Sequence, residues 1–151
     1  ALVRSAFTEF TRLSGVQSHD AGPSESPSFR VIFVNQEVFL MRDGQVATCF
    51  ALFRGQRDGQ GTIEVTLGTA KSDAAQQCIH HEFMHAFGFL GHSHRVNSVL
   101  SYMHNAVALT RWDRVLIASL YDSRIHAGMA REQVAPLVRG IIATNLARIT
   151  E

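Results

Sequence analysis

Residues 80–94 read HHEFMHAFGFLGHSH, and the spacing of their histidines decides how the rest of the chain is read. His81 and His85 stand four apart, so on a helix their imidazoles leave one face a single turn from each other, where both can grip one metal ion. Glu82 sits about 100° round the helix from His81, off the ligand face but placed to deprotonate a water that the metal activates. Gly88 comes three residues after His85, where a chain leaving a helix sharply needs positive φ, and further histidines follow at once. The pattern predicts a hydrolytic zinc site at the end of a helix.

The 151 residues, 46% of them hydrophobic, suit one compact domain spanning 1–151. Net charge is +1, and the 14 basic residues are scattered, so the composition argues against a nucleic-acid surface or a polybasic membrane anchor. No apolar run approaches the ~20 residues that span a bilayer. The opening ALVRSAFTEF lacks the charged region, apolar core and cleavage site of a signal peptide, as expected of a mature or trimmed chain. Neither Cys49 nor Cys78 has a partner at zinc-finger spacing, so a Cys49–Cys78 disulfide is expected, the alternative being two buried free thiols. A bridge would place the protein in an oxidising compartment, secreted or periplasmic.

Val3, Phe7, Phe10 and Leu13 repeat at helical spacing, and Gly15 ends that first helix. After a polar loop over 15 to 28, FRVIFV (29 to 34) predicts a mostly buried strand, and Glu37 to Met41 is open between strand and short helix. Asp43-Gly44 marks a turn into a strand VATCFALFR (46 to 54), which forms a hairpin across Gly55 to Gly61 with TIEVTL (62 to 67). TIEVTL alternates as a half-exposed strand does. Ser72 or Asp73 can cap the metal helix, whose core stripe includes Ala74, Cys78, Phe83 or Met84, and Phe87. Two helices follow, one from a Thr110 cap to Tyr121 and one from Arg131 to about Ile149.

HExxHxxG followed by histidine resembles the elongated metzincin signature, and HEFMHAFGF is especially similar to the astacin type. The family's third histidine falls three residues after the glycine, which here is Gly91; His92 comes one residue later and is the expected third ligand, with His94 the alternative. SVLSY (98 to 102) resembles the clan's Met-turn, with Leu100 standing for the methionine and Tyr102 matching the tyrosine that approaches the reacting oxygen in some members. LTRWDRVLIASLYD resembles the closing helix of matrixin-type proteases. Over most of its length the chain is also similar to a family of exported bacterial zinc-protease-like proteins of unknown function. Cys78, Glu82, Gly88, Leu109 to Tyr121 and Gly128-Met129 stand at its matching positions. Many of its members lack the second histidine, and an acidic residue usually stands where this chain has His92.

The resemblance implies a zincin/metzincin-like α+β fold: a small mixed, mostly antiparallel sheet packed on an active-site helix, with N-terminal and C-terminal helices. It implies a monomeric zinc endopeptidase acting on a peptide or protein substrate, with Zn2+ on His81, His85 and His92, Glu82 as general base and Tyr102 as oxyanion donor. The strand at 62 to 67 would form the cleft edge, pairing with an extended substrate. A metal-binding but catalytically silent interaction domain, and a hydrolase of peptidoglycan peptide amides, are the alternatives. Asp113 is expected to cap its helix or pair with Arg111 or Arg114. His80 is expected to face solvent or a second shell, and His19, His104 and His126 to lie on the surface.

Overall fold

Helix α1 (Leu2–Ser14) forms on the expected stripe: Ala6 and Phe10 are buried, and Val3, Phe7 and Leu13 pack half-buried against the same core. It ends at Gly15, whose left-handed φ of 73° lets its N–H reach Thr11 O at 2.8 Å. The computed structural model describes residues 1–41, 44, 46–55, 61–68 and 72–150.

Strands β1 (Phe29–Phe33), β4 (Cys49–Gly55) and β5 (Gly61–Leu67) form a three-stranded sheet in the order β1-β5-β4. The hairpin register runs antiparallel from Cys49↔Leu67 to Gly55↔Gly61, while β1 runs parallel to β5 from Phe29↔Ile63 to Phe33↔Leu67. The sheet is therefore mixed, with one antiparallel and one parallel pairing. The hairpin residues 56–60 and Asp43 of the expected turn lie outside the described residues. VATCFALFR divides at Thr48. Its first part, β3 (Val46–Ala47), pairs with β2 (Phe39–Leu40) in a separate ribbon, which resolves the ambiguous run 37 to 41 as strand.

Two burial expectations are reversed by strand order. Because β5 is central, both its faces are covered at its end, with Val65, Thr66 and Leu67 all buried. Because β1 has β5 as its one neighbour among the described residues, it is only half-buried, and Phe33 is 69% exposed. Gly68, just past β5, is required by space: a Cβ there would collide with the carbonyls of Gln36 and Thr48.

Helix α2 (Ser72–Ala86) lies across the sheet. Cys78, Ile79, Phe83, Met84 and Phe87 are buried, so Phe83 and Met84 both join the core, whereas Ala74 is exposed. Phe83 packs edge-on to Phe10 at 5.6 Å and to Phe29 at 5.2 Å, joining α1, α2 and β1. The residue before α2, where a cap would sit, is outside the described residues.

Cys49 and Cys78 form a disulfide with Cα atoms 5.9 Å apart, tying the start of β4 to the middle of α2. With a sequence separation of 29, loop-closure entropy assigns this bridge about 3.5 kcal/mol.

Helix α3 (Arg111–Leu120) starts at Thr110 in a reciprocal capping box with Asp113. Helix α4 (Arg131–Arg148) packs on α3, held at its end by Arg111, which donates to Leu146 O at 2.6 Å and Ile149 O at 2.8 Å. Asn145 donates to Ser119 Oγ at 3.0 Å between the same helices. The architecture is α+β, with four helices and small sheets among the described residues. Among the described residues no helix is long and apolar enough to cross a membrane.

Candidate metal centre

The four-residue spacing on α2 puts the His81 and His85 rings 4.9 Å apart, and the chain then returns His92 to within 4.9 Å and 5.0 Å of them. One nitrogen from each of the three lies within 4.8 Å of the others. His94, the alternative third ligand, is not in this cluster.

Each helical imidazole is oriented by a backbone carbonyl. His81 Nδ1 lies 2.9 Å from Val99 O, and His85 Nδ1 lies 2.6 Å from Phe89 O. A carbonyl only accepts, so both Nδ1 atoms carry the proton and both Nε2 atoms present bare lone pairs. Those lone pairs face each other across 3.2 Å, and His92 Nε2 is 3.0 Å from that of His81. Two acceptors this close repel unless a cation lies between them. Tetrahedral ligation at zinc–nitrogen lengths of 2.0–2.1 Å separates ligand nitrogens by ~3.3 Å, so the two separations from His81 Nε2 suit a tetrahedral divalent ion.

Local geometry explains how each carbonyl arrives. Gly88, with φ 104°, ends α2 in a paired cap in which its N–H reaches His85 O and the Phe89 N–H reaches Met84 O, both at 3.0 Å. That turn directs Phe89 O back onto His85. Gly91 does not adopt positive φ, so the extra residue before His92 is accommodated without a left-handed bend there. Ser93 sits in a parallel bridge to Ser101, with Ser93 N–H on Leu100 O at 3.0 Å and Tyr102 N–H on Ser93 O at 3.1 Å. The SVLSY turn is thereby tied to the segment carrying the third histidine, and Leu100 is buried as an apolar floor residue should be.

Asp113 has a larger role than the local cap foreseen for it. Fully buried, it accepts from Ser98 Oγ at 2.5 Å, from Val99 N–H at 3.1 Å and from Thr110 N–H at 2.8 Å. Its pairing with Arg111 or Arg114 is not found: Arg111 caps α4, and Arg114 pairs with Glu9 at 3.0 Å. The carboxylate clamps residue 99, whose carbonyl orients His81. Its capping signature was legible in the sequence, but its reach across 14 residues to the turn was not.

Glu82 is buried, only 4% exposed, and accepts a backbone hydrogen bond from Ala51 on β4. Burial pushes its carboxyl up to about 7, partly opposed by that hydrogen bond. Ala51 was not anticipated, because a backbone donor has no residue signature. Tyr102 is exposed on the rim, its ring 4.7 Å from His92 and 4.8 Å from His94. His80 is buried instead of solvent-facing, 4.0 Å from Glu9 on α1. His104 is exposed, with Nδ1 2.8 Å from Ser101 Oγ, and His19 and His126 are exposed as expected.

Residues 1–140 match a family described as protein of unknown function (DUF2927). The chain belongs to this family. No curated protein and no solved structure matches it. The matched span contains the three histidines, Glu82, the disulfide and Asp113 of this DUF2927 chain, and its description states no activity.

Burial is the main cause that lowers His81 to about 4, and it lowers His92 in the same direction. A ligand histidine must lose its proton to bind metal, so depressed values delay proton competition as pH falls. Were a metal held here, its retention is expected to extend from pH 7 to below 6.5, the ordinary imidazole value, because burial lowers His81 to about 4 and His92 in the same direction. Equilibrium dialysis against metal-buffered solutions across that range checks this; loss centred near 6.5 would show that burial does not protect the ligands.

Proposed function

We propose that this protein is a zinc-dependent endopeptidase with a zincin-like catalytic domain of metzincin type. The observation that carries the reading is the pair of carbonyl-backed imidazoles whose bare Nε2 atoms face each other at 3.2 Å, with His92 Nε2 3.0 Å from one of them. Bound zinc supplies Lewis-acid chemistry, polarising the scissile carbonyl and lowering the pKa of water.

The chain's own groups do the rest. Glu82, held by the Ala51 N–H, takes the proton of the attacking water and later delivers it to the leaving amine; its value of about 7 suits both transfers near neutrality. Among the described residues β5 is closed in between β1 and β4, which form the sheet edges, and of these β4 is the one that receives an extended substrate. Ala51 joins that edge directly to Glu82. The Cys49–Cys78 bridge supports a secreted or periplasmic location.

Digestion of casein and of a mixed peptide library tests the reading, alongside metal content by mass spectrometry. One zinc per chain is expected, with cleavage abolished by chelator and restored by zinc. A chain that takes up no zinc overturns it, and a zinc-loaded chain that cleaves neither substrate supports a silent metal-binding domain instead.

A further inference from the structure

The three clustered histidines are not held alike. His81 and His85 each lie half-buried with a backbone carbonyl on Nδ1, which fixes tautomer and ring orientation. His92 is exposed, and among the described residues it is contacted through Nε2 and the ring face, with no carbonyl on Nδ1. An exposed imidazole on a loop loses rotamer freedom when it is recruited to a metal, and that loss weakens binding unless something sets the ring beforehand.

Tyr102 lies where such a support is needed. The Ser93↔Ser101 bridge runs the two segments side by side, and the Tyr102 N–H on Ser93 O sets residue 102 against the residue between His92 and His94. In an extended segment, side chains two apart share a face. The Tyr102 ring meets both, with centroids 4.7 Å from His92 at 35° and 4.8 Å from His94 at 28°. These are aromatic packing distances, and the tyrosine hydroxyl makes no hydrogen bond among the described residues.

We infer that Tyr102 is a positioning residue that orients the third metal ligand, His92, by ring packing, and that His94 backs this aromatic stack without ligating the metal. The stack takes over for His92 the task that Val99 O and Phe89 O perform for His81 and His85. The inference rests on the metal reading above and goes beyond it, since it gives Tyr102 a duty that needs its ring and not its hydroxyl.

The test compares zinc affinity, by competition with a chromophoric chelator, and the visible spectrum of the cobalt(II) form, in wild type and four variants. Tyr102 is 63% exposed, so its truncation leaves the core intact. Tyr102→Ala is expected to weaken zinc about tenfold and to reduce the intense absorption of tetrahedral cobalt, the lower end of the effect of losing a ligand's support. Tyr102→Phe stays within about twofold of wild type; His94→Ala weakens zinc about threefold, and His94→Phe recovers most of that, as ring packing demands. Equal affinity and spectra in Tyr102→Ala and wild type overturn the inference while leaving the metal reading in place. So does a Tyr102→Phe protein as weak as Tyr102→Ala, which would transfer the role to the hydroxyl. If wild type takes up neither zinc nor cobalt, the metal reading falls and this inference falls with it.

Discussion

On the endopeptidase reading proposed above, Glu82→Gln is expected to bind zinc as wild type does and to hydrolyse peptides about a thousandfold more slowly, the loss that removal of a general base produces. Glutamine matches glutamate in shape, and its amide oxygen still accepts the Ala51 N–H, so β4 stays docked against α2. The three imidazoles and their carbonyl partners are untouched, which leaves metal uptake unchanged. What disappears is a carboxylate able to take a proton, and its burial denies bulk water the place. The wild-type rate is likewise expected to fall as pH drops and the base is protonated, with a midpoint at or below Glu82's value of about 7, because a cation bound at the histidines would favour the ionised carboxylate. Metal analysis beside kcat/KM on a quenched-fluorescence peptide reads both quantities. A zinc-replete variant with unreduced turnover removes Glu82 from the chemistry.

Asp113→Ala is expected to destabilise the fold by about 4 kcal/mol, since it removes the carboxylate half of the Thr110–Asp113 capping box and leaves buried donors without an acceptor. Ser98 Oγ and the Val99 N–H lose their partner in a place that water does not reach, and the part-buried Thr110 N–H loses its own. Zinc affinity is expected to fall as well, because Val99 N–H anchors the residue whose carbonyl orients His81. Asp113→Asn keeps one oxygen to accept and costs about half as much. Denaturant unfolding of the metal-free proteins measures the first effect and chelator competition the second. A loss below about 1 kcal/mol in Asp113→Ala would place the clamp elsewhere, since even an ordinary exposed cap contributes that much.

Much of the helical framework was readable. The stripe from Val3 to Leu13, the Thr110 cap and the run from Arg131 each produce a helix within a residue or two of the expected bounds. The same holds for the metal pair, because a four-residue spacing on a helix is converted to a shared face by backbone geometry alone. Gly88 was legible through its positive φ, and the Cys49–Cys78 bridge as one of two open readings.

Strand order was not readable in this way. A parallel edge strand and a central strand carry similar alternation, so TIEVTL looked like a cleft edge when it is the centre of the sheet, and the division of VATCFALFR at Thr48 has no local mark.

The sequence alone therefore established the two-histidine face with Glu82 beside it, since its geometry depends on contacts within a single helical turn. His92 was likewise the histidine expected to join them, whereas the stacking of Tyr102 on His92 and His94, the Ala51 bond to Glu82 and the clamp of Asp113 on Val99 came from the folded chain. Each joins segments 8 to 31 residues apart, and such distances are set by how the core packs and by the path of the loops across it.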